Sequence, residues 1–332
     1  MRPGSPTSTP SRPPEPRTAL GAVAVVAPPA AVAALAPLLA AYQRGGRRVH
    51  VVGWSQGVDL TRVAGGADGV LVVAPRRRSP RTVAPGPTVI DHTGRPVPLG
   101  VLPDAGPGPL ARFASAAAAV HDRAAAGGAP CSVAVLAQRS GRYRDLAGRI
   151  LRLLGEAAPG TARFEWTADE LVRDDLVEGL GCGLGLAVYV GHGRPIGWVG
   201  YRGVRAGHLD ELAQPVGAVL SLACLTASRK RTGLSFAEAL PLQGAAAASL
   251  AAVGPTRHVE NARWALRLVR AIAGGCPTIG DLVVAAEPEA ALVRGYRIVG
   301  DPLAPLADAP GSAGAAAALT RRCSLVLDGA AA

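Results

Sequence analysis

Two short, continuous apolar runs constrain this chain most, Leu186–Val190 and residues 218–223, because each closes on a reactive dipeptide. Five or six apolar residues in a row, without alternation, are what parallel strands covered on both faces require. Parallel strands collect their carboxyl ends at one edge of a sheet, the edge where open α/β folds place their ligands. Val190 leads into Gly191-His192-Gly193, and the second run ends in Ala223-Cys224. An imidazole and a thiol are therefore expected side by side on two rigid supports. Gly193, having no side chain, leaves its backbone amide uncovered beside them. Nucleophile, base and oxyanion donors can converge there.

The rest of the chain repeats the same strand and helix alternation. Strands are expected at residues 22–27, 48–52, 69–73, 132–136, 162–166, 246–252 and 296–299, and helices at 30–42, 110–126, 143–154 and 260–273. Thr167 with Glu170 and Thr278 with Asp281 have capping-box spacing, and each is expected to open a helix. Pro28-Pro29 splits the apolar stretch 19–42 into a strand and a helix, which fits better than an export signal or a membrane span. A Pro/Gly-rich crossing at 79–109 reads as a subdomain boundary. The expected organisation is a disordered Pro-rich head at 1–18, an N-terminal α/β subdomain at 19–108, a larger subdomain at 109–308 and a low-complexity tail at 309–332.

The order of residues from Tyr189 to Asn261 resembles the catalytic core of the gingipain-type cysteine peptidases, relatives of caspases. The matching pieces are His192-Gly193, Trp198, Ala223-Cys224-Leu225-Thr226-Ala227, Ser235-Phe236-Ala237-Glu238-Ala239-Leu240 and the apolar strand 246–252. The likeness extends to Tyr296-Arg297-Ile298-Val299-Gly300-Asp301-Pro302 and back to residues 97–103, and spans roughly residues 20–308. One departure is Val101, where the family often carries an arginine. The resemblance implies a caspase-like α/β/α sandwich with a mostly parallel sheet, preceded by a smaller α/β subdomain. It also implies a cysteine endopeptidase acting on peptides or proteins without a metal or cofactor. Cys224 would be the nucleophile, His192 the acid–base group, and the amides of Gly193 and Cys224 the oxyanion donors. Trp198 and His258 are expected on the substrate rim, and relatives often prefer a basic side chain before the cleaved bond.

Charge and cysteine usage narrow the alternatives. The net charge of +11 invites a nucleic-acid or membrane reading. Yet the arginines are scattered apart from Arg76-Arg77-Arg78 and Arg229-Lys230-Arg231, and no aromatics interleave to stack bases, so neither partner is expected. The cluster after the cysteine reads as a solvated loop. Lys230 is the only lysine, a usage that points to a GC-rich bacterial genome. Five widely spaced cysteines form neither a disulfide framework nor a Cys-x-x-Cys metal site, and a cytoplasmic location is expected, with secretion as the alternative.

Two further motifs compete. Gly53-Trp54-Ser55-Gln56-Gly57 follows a strand and matches the nucleophile elbow of serine α/β-hydrolases, although 42 glycines make such a match easy by chance. Gly179 to Gly185 is glycine-rich but precedes a strand and has no dinucleotide-loop register. A non-proteolytic caspase-like scaffold is the remaining alternative, and Asp301 in Gly-Asp-Pro reads as a turn stabiliser.

Overall fold

A computed structural model describes residues 21–127, 131–286 and 294–330, with side chains to Cys323; the expected head at 1–18 lies outside the described residues. Its N-terminal half contributes β1 (Ala22–Ala27), α1 (Pro29–Ala34), α2 (Ala36–Arg44), β2 (Arg48–Gly53), α3 (Leu60–Val63), β3 (Ala67–Pro75), α4 (Pro80–Val83), β4 (Thr88–Ile90), β5 (Pro96–Asp104) and α5 (Pro107–Ala125). β6 (Val133–Ala137), α6 (Gly141–Ala157), β7 (Arg163–Thr167), α7 (Arg173–Leu180) and β8 (Leu186–Val190) follow. Three two-residue strands then form a small sheet: β9 (Gly193–Arg194), β10 (Gly197–Trp198) and β11 (Val204–Arg205). The chain closes with β12 (Val216–Leu222), α8 (Phe236–Leu242), β13 (Ala246–Ala252), α9 (His258–Ala273), α10 (Ile279–Ala285), β14 (Tyr296–Gly300) and α11 (Ser312–Ala330).

One sheet runs through both halves in the order β2-β1-β3-β5-β14-β13-β12-β8-β6-β7, with β4 paired to β5. Neighbours are parallel along this path except at β13–β14. That single reversal divides the sheet into two parallel blocks whose carboxyl ends leave from opposite edges. β8 and β12 end on one edge; β1, β2, β3 and β5 end on the other. The seam between the expected subdomains is the short contact of β14 with β5, Ile298 against Gly100 and Val299 against Val101.

The two-sided burial that the apolar runs anticipate is present. Val188, Val190, Leu220 and Leu222 feed one core, while Ala187, Tyr189, Val219 and Ala223 feed the core on the opposite face. At the amino ends of the same strands, buried Asp308 accepts hydrogen bonds from the backbone N–H of Ser132 (2.9 Å) and Gly185 (2.7 Å). Arg123 donates to the carbonyl of Pro215 (2.8 Å), and burial pushes its guanidinium pKa down to about 10. The edge remote from His192 and Cys224 is thereby clamped.

Several local expectations are corrected. The helix expected at 30–42 is two helices meeting at Leu35, since Pro37 has no N–H to continue the ladder and instead occupies the first turn of α2. The crossing at 79–109 is not bare loop but holds α4, β4 and the central strand β5; Pro98 and Pro103 fall outside the two-residue contact with β14. Thr167 opens no helix: it ends β7, Glu170 N–H returns to its carbonyl in a turn, and α7 starts only at Arg173. The low-complexity tail expected at 309–332 forms the helix α11 from Ser312 to Ala330. Ala316, Leu319 and Cys323 are buried in the second core, as alanine's helix propensity allows. Asp301 does more than stabilise its turn. It accepts from Leu303 N–H (2.8 Å) and Tyr42 Oη (2.5 Å), and pairs with His121 Nε2 (2.7 Å).

Ser55 is exposed beyond β2, at the sheet edge opposite to Cys224. The turn after it leads to the one-turn helix α3, capped by Asp59, rather than to the long helix an elbow needs. Ser55→Ala is expected to leave peptide cleavage unchanged within error, as a direct kinetic comparison with the unaltered protein will show.

Candidate active site

Strand register brings the imidazole and thiol together. β8 and β12 pair with Val190 opposite Leu222, so His192 and Cys224 each lie two residues past matched strand ends. Gly193 is pressed against the second of them: a Cβ there would sit 2.5 Å from the Cys224 carbonyl oxygen and 2.8 Å from Thr226 Cγ2. Backbone cannot yield as a flexible side chain can. Gly193→Ala is therefore expected to lower kcat/KM by roughly 100-fold or more, because a displacement of about 1 Å at the reacting groups costs that much. A variant retaining more than half of the activity would show that the two backbones need not touch.

The turn holding Cys224 is strained and tied down. Leu225 has φ 63°, a left-handed conformation costly for a side chain of its size. Leu225 N–H donates to the Gly254 carbonyl (3.0 Å), and Ala227 N–H to that of Ala252 (2.8 Å), anchoring the turn to the end of β13. Thr256 N–H donates to Cys224 Sγ (3.3 Å), and Thr256 Oγ1 lies 3.4 Å from the sulfur. Asn261 Nδ2 donates to Thr256 Oγ1 (2.9 Å) and to the Leu222 carbonyl (3.1 Å), while Tyr296 Oη donates to Asn261 Oδ1 (2.7 Å). A buried polar chain thus runs from Tyr296 to the thiol.

His192 is exposed but its backbone is held on both sides. Its N–H donates to Gln138 Oε1 (2.7 Å), and its carbonyl accepts from Tyr189 Oη and Val199 N–H (both 3.0 Å). Arg142, in the first turn of α6, places its guanidinium 2.9 Å from His192 Nε2 and donates to Tyr143 Oη (3.1 Å). Arginine has no acceptor, so in this contact the guanidinium is the donor and Nε2 the acceptor. Tyr143 packs edge-on between His192 and His258, at centroid distances of 5.5 and 5.3 Å. Burial raises the Tyr143 hydroxyl pKa against the pull of Arg142, and the Cys224 thiol adds to the rise. His258 is held below the usual imidazole pKa by burial and by Arg142. Among the described residues no group of three or more His, Cys, Asp or Glu could hold a metal ion.

Two expectations about the surroundings fail. Trp198 is not on the rim: it is 2% exposed, its indole stacks on Tyr189 at 4.6 Å, and its Nε1 donates to Ser221 Oγ (2.9 Å) beneath the site. A buried indole needs such an acceptor, and Ser221 supplies one. Arg229 is not solvated either: it makes a forked contact with buried Glu238, with Nε 3.0 and 2.8 Å from the two carboxylate oxygens, and donates to the Arg76 carbonyl. The residues that reasoning from sequence missed are Gln138, Arg142, Tyr143, Thr256, Asn261 and Tyr296. For the first three a signal existed. Once β6 pairs with β8, Ala137 opposite Val190, whatever follows Ala137 must lie beside His192.

Residues 153–307, just under half of the chain, match the family model of peptidase family C25, a span that includes His192, Cys224, Thr256, Asn261 and Tyr296. This segment is a gingipain-type C25 peptidase domain. The fold around the C25 domain is similar to that of the Arg-specific cysteine proteinase gingipain R, with a TM-score of 0.67 at 14% identity over 89% of this chain and 80% of that one. It is also similar to a complex of Porphyromonas gingivalis RgpB pro- and mature domains (TM-score 0.64, 15% identity, 86% and 80% covered). A third similar structure, described as a protease, has a TM-score of 0.56 at 14% identity over 86% and 78% of the two chains. These likenesses extend the caspase-like α/β architecture of the C25 domain to the N-terminal strands. No curated protein matches the sequence at significant similarity.

Proposed function

We propose that the chain is a cysteine endopeptidase in which Cys224 and His192 carry out acyl transfer on a peptide or protein substrate. The observation that carries this reading is the matched register of the two strand ends, with Gly193 held against the Cys224 backbone. The imidazole takes the thiol proton, and the thiolate adds to the peptide carbonyl while the amides of Gly193 and Cys224 receive the developing oxyanion. The C–N bond breaks as the imidazolium returns its proton to the leaving amine. Water then attacks the thioester, giving up a proton to the imidazole, and the acid product and free thiol separate. His258, packed on Tyr143 beside the dyad, is proposed to line the rim.

A cytoplasmic, reducing setting is part of the proposal, supported by five free cysteines. No described helix is long and apolar enough to cross a membrane. The test is a peptide-library cleavage profile of the purified protein, before and after limited proteolysis, with and without prior alkylation. Cleavage lost on alkylation is the expected result. A scaffold would give none in any arm.

A further inference from the structure

The dyad is flanked by a guanidinium that no carboxylate neutralises. Arg142 contacts His192 Nε2 and Tyr143 Oη, and its Cζ sits 4.7 Å from the Tyr143 ring centroid; among the described residues it makes no ion pair with Asp or Glu. Arg194, the residue after Gly193, is exposed. Asp169, Glu170 and Asp175 line a cavity of about 720 Å³ that Gln138 and Val199 also line. Two of them are paired, Asp169 with Arg144 at 3.0 Å and Asp175 with Arg322 at 3.6 Å, whereas Glu170 is exposed and makes no ion pair among the described residues; Arg139 and Arg202 line the same cavity. A basic side chain approaching the dyad would meet like charge at Arg142. A carboxylate would meet a planar fork suited to bidentate binding.

We infer that the site selects substrates with an aspartate or glutamate side chain next to the scissile bond, Arg142 being the residue that reads it. The inference rests on the cysteine-peptidase reading above. It also separates this chain from gingipain R, which is described as Arg-specific. Recognition and chemistry are coupled through one contact. A carboxylate that draws the Arg142 guanidinium toward itself releases Nε2 of His192, which can then accept the Cys224 proton. An uncharged side chain leaves Arg142 on the imidazole.

The test compares covalent labelling of Cys224 by three peptidyl acyloxymethyl ketones that share one backbone and end in aspartate, asparagine or arginine. In the unaltered protein the aspartyl reagent is expected to label Cys224 about tenfold faster or more than the other two, as a close charge pair at a recognition site commonly achieves. Raising ionic strength from about 50 to about 500 mM should shrink that advantage. Arg142→Gln should abolish the preference for aspartyl over asparaginyl, and Arg142→Glu should turn it toward arginyl. Equal or faster labelling by the arginyl reagent in the unaltered protein overturns the inference, while modification at Cys224 keeps the peptidase reading intact. If iodoacetamide modifies Cys224 but none of the three peptidyl reagents does, both readings fall.

Discussion

Replacing Cys224 by alanine is expected to reduce peptide cleavage by on the order of 10⁴-fold or more, and His192→Ala should do nearly as much. Because thiol and imidazole act as one unit, the double variant should be scarcely slower than either single one. Stability should hardly register the changes. His192 is exposed, and Cys224 loses little beyond the Thr256 N–H contact, a loss of about 1 kcal/mol that moves the thermal midpoint of a chain this size by only a few degrees. The check pairs initial rates with thermal unfolding of the same samples. Either single variant retaining full activity removes the dyad.

The largest stability effect is expected at Glu238. Its carboxylate is fully buried, takes the Arg229 fork on one side, and accepts from Ser235 N–H (2.8 Å) and Ser235 Oγ (2.9 Å) on the other. Ser235 Oγ in turn caps α8. Glu238→Ala strands a nearly buried guanidinium and opens the capping box, which should cost about 3–5 kcal/mol. For a chain of this length that corresponds to a fall in Tm of roughly 4–7 °C. Arg229→Ala combined with Glu238→Ala should cost less than the sum of the two single changes, since the second replacement removes the charge the first left unpaired. Strict additivity in thermal or denaturant unfolding would show that Arg229 and Glu238 do not act as a pair. Because Arg229 also reaches the Arg76 carbonyl, these variants should loosen the contact between the loop after Cys224 and the loop after β3.

What could be read from the sequence followed from burial. Continuous apolar runs marked β8, β12 and β13, and their carboxyl ends named His192 and Cys224, because a strand buried on both faces leaves few other patterns. Strand direction left no such trace. Nothing in Tyr296-Arg297-Ile298-Val299 says that β14 runs against β13, yet that reversal puts Ser55 on the far edge. Spacing rules misled where tertiary contacts prevailed. Thr167 and Glu170 have the same separation as Ser235 and Glu238, but only the second pair closes a capping box, with Thr167 instead completing β7. The alanine-rich tail showed low complexity where its use is helical packing. Thr256, Asn261 and Tyr296 come from three separate elements, and only the folded sheet edge brings them behind the sulfur.

The central claim is that Cys224, paired with His192, is the nucleophile. It is tested most directly by titrating the protein with iodoacetamide, mapping the modified positions by mass spectrometry and following cleavage in the same samples. The thiolate is the form that reacts, so the reagent reports the group the mechanism needs. Residual activity should fall in proportion to the fraction of Cys224 alkylated and vanish when that fraction is complete, whatever the state of the other four cysteines. Cleavage that persists with Cys224 fully alkylated, above all if a fluorophosphonate bound at Ser55 then stops it, would contradict the account.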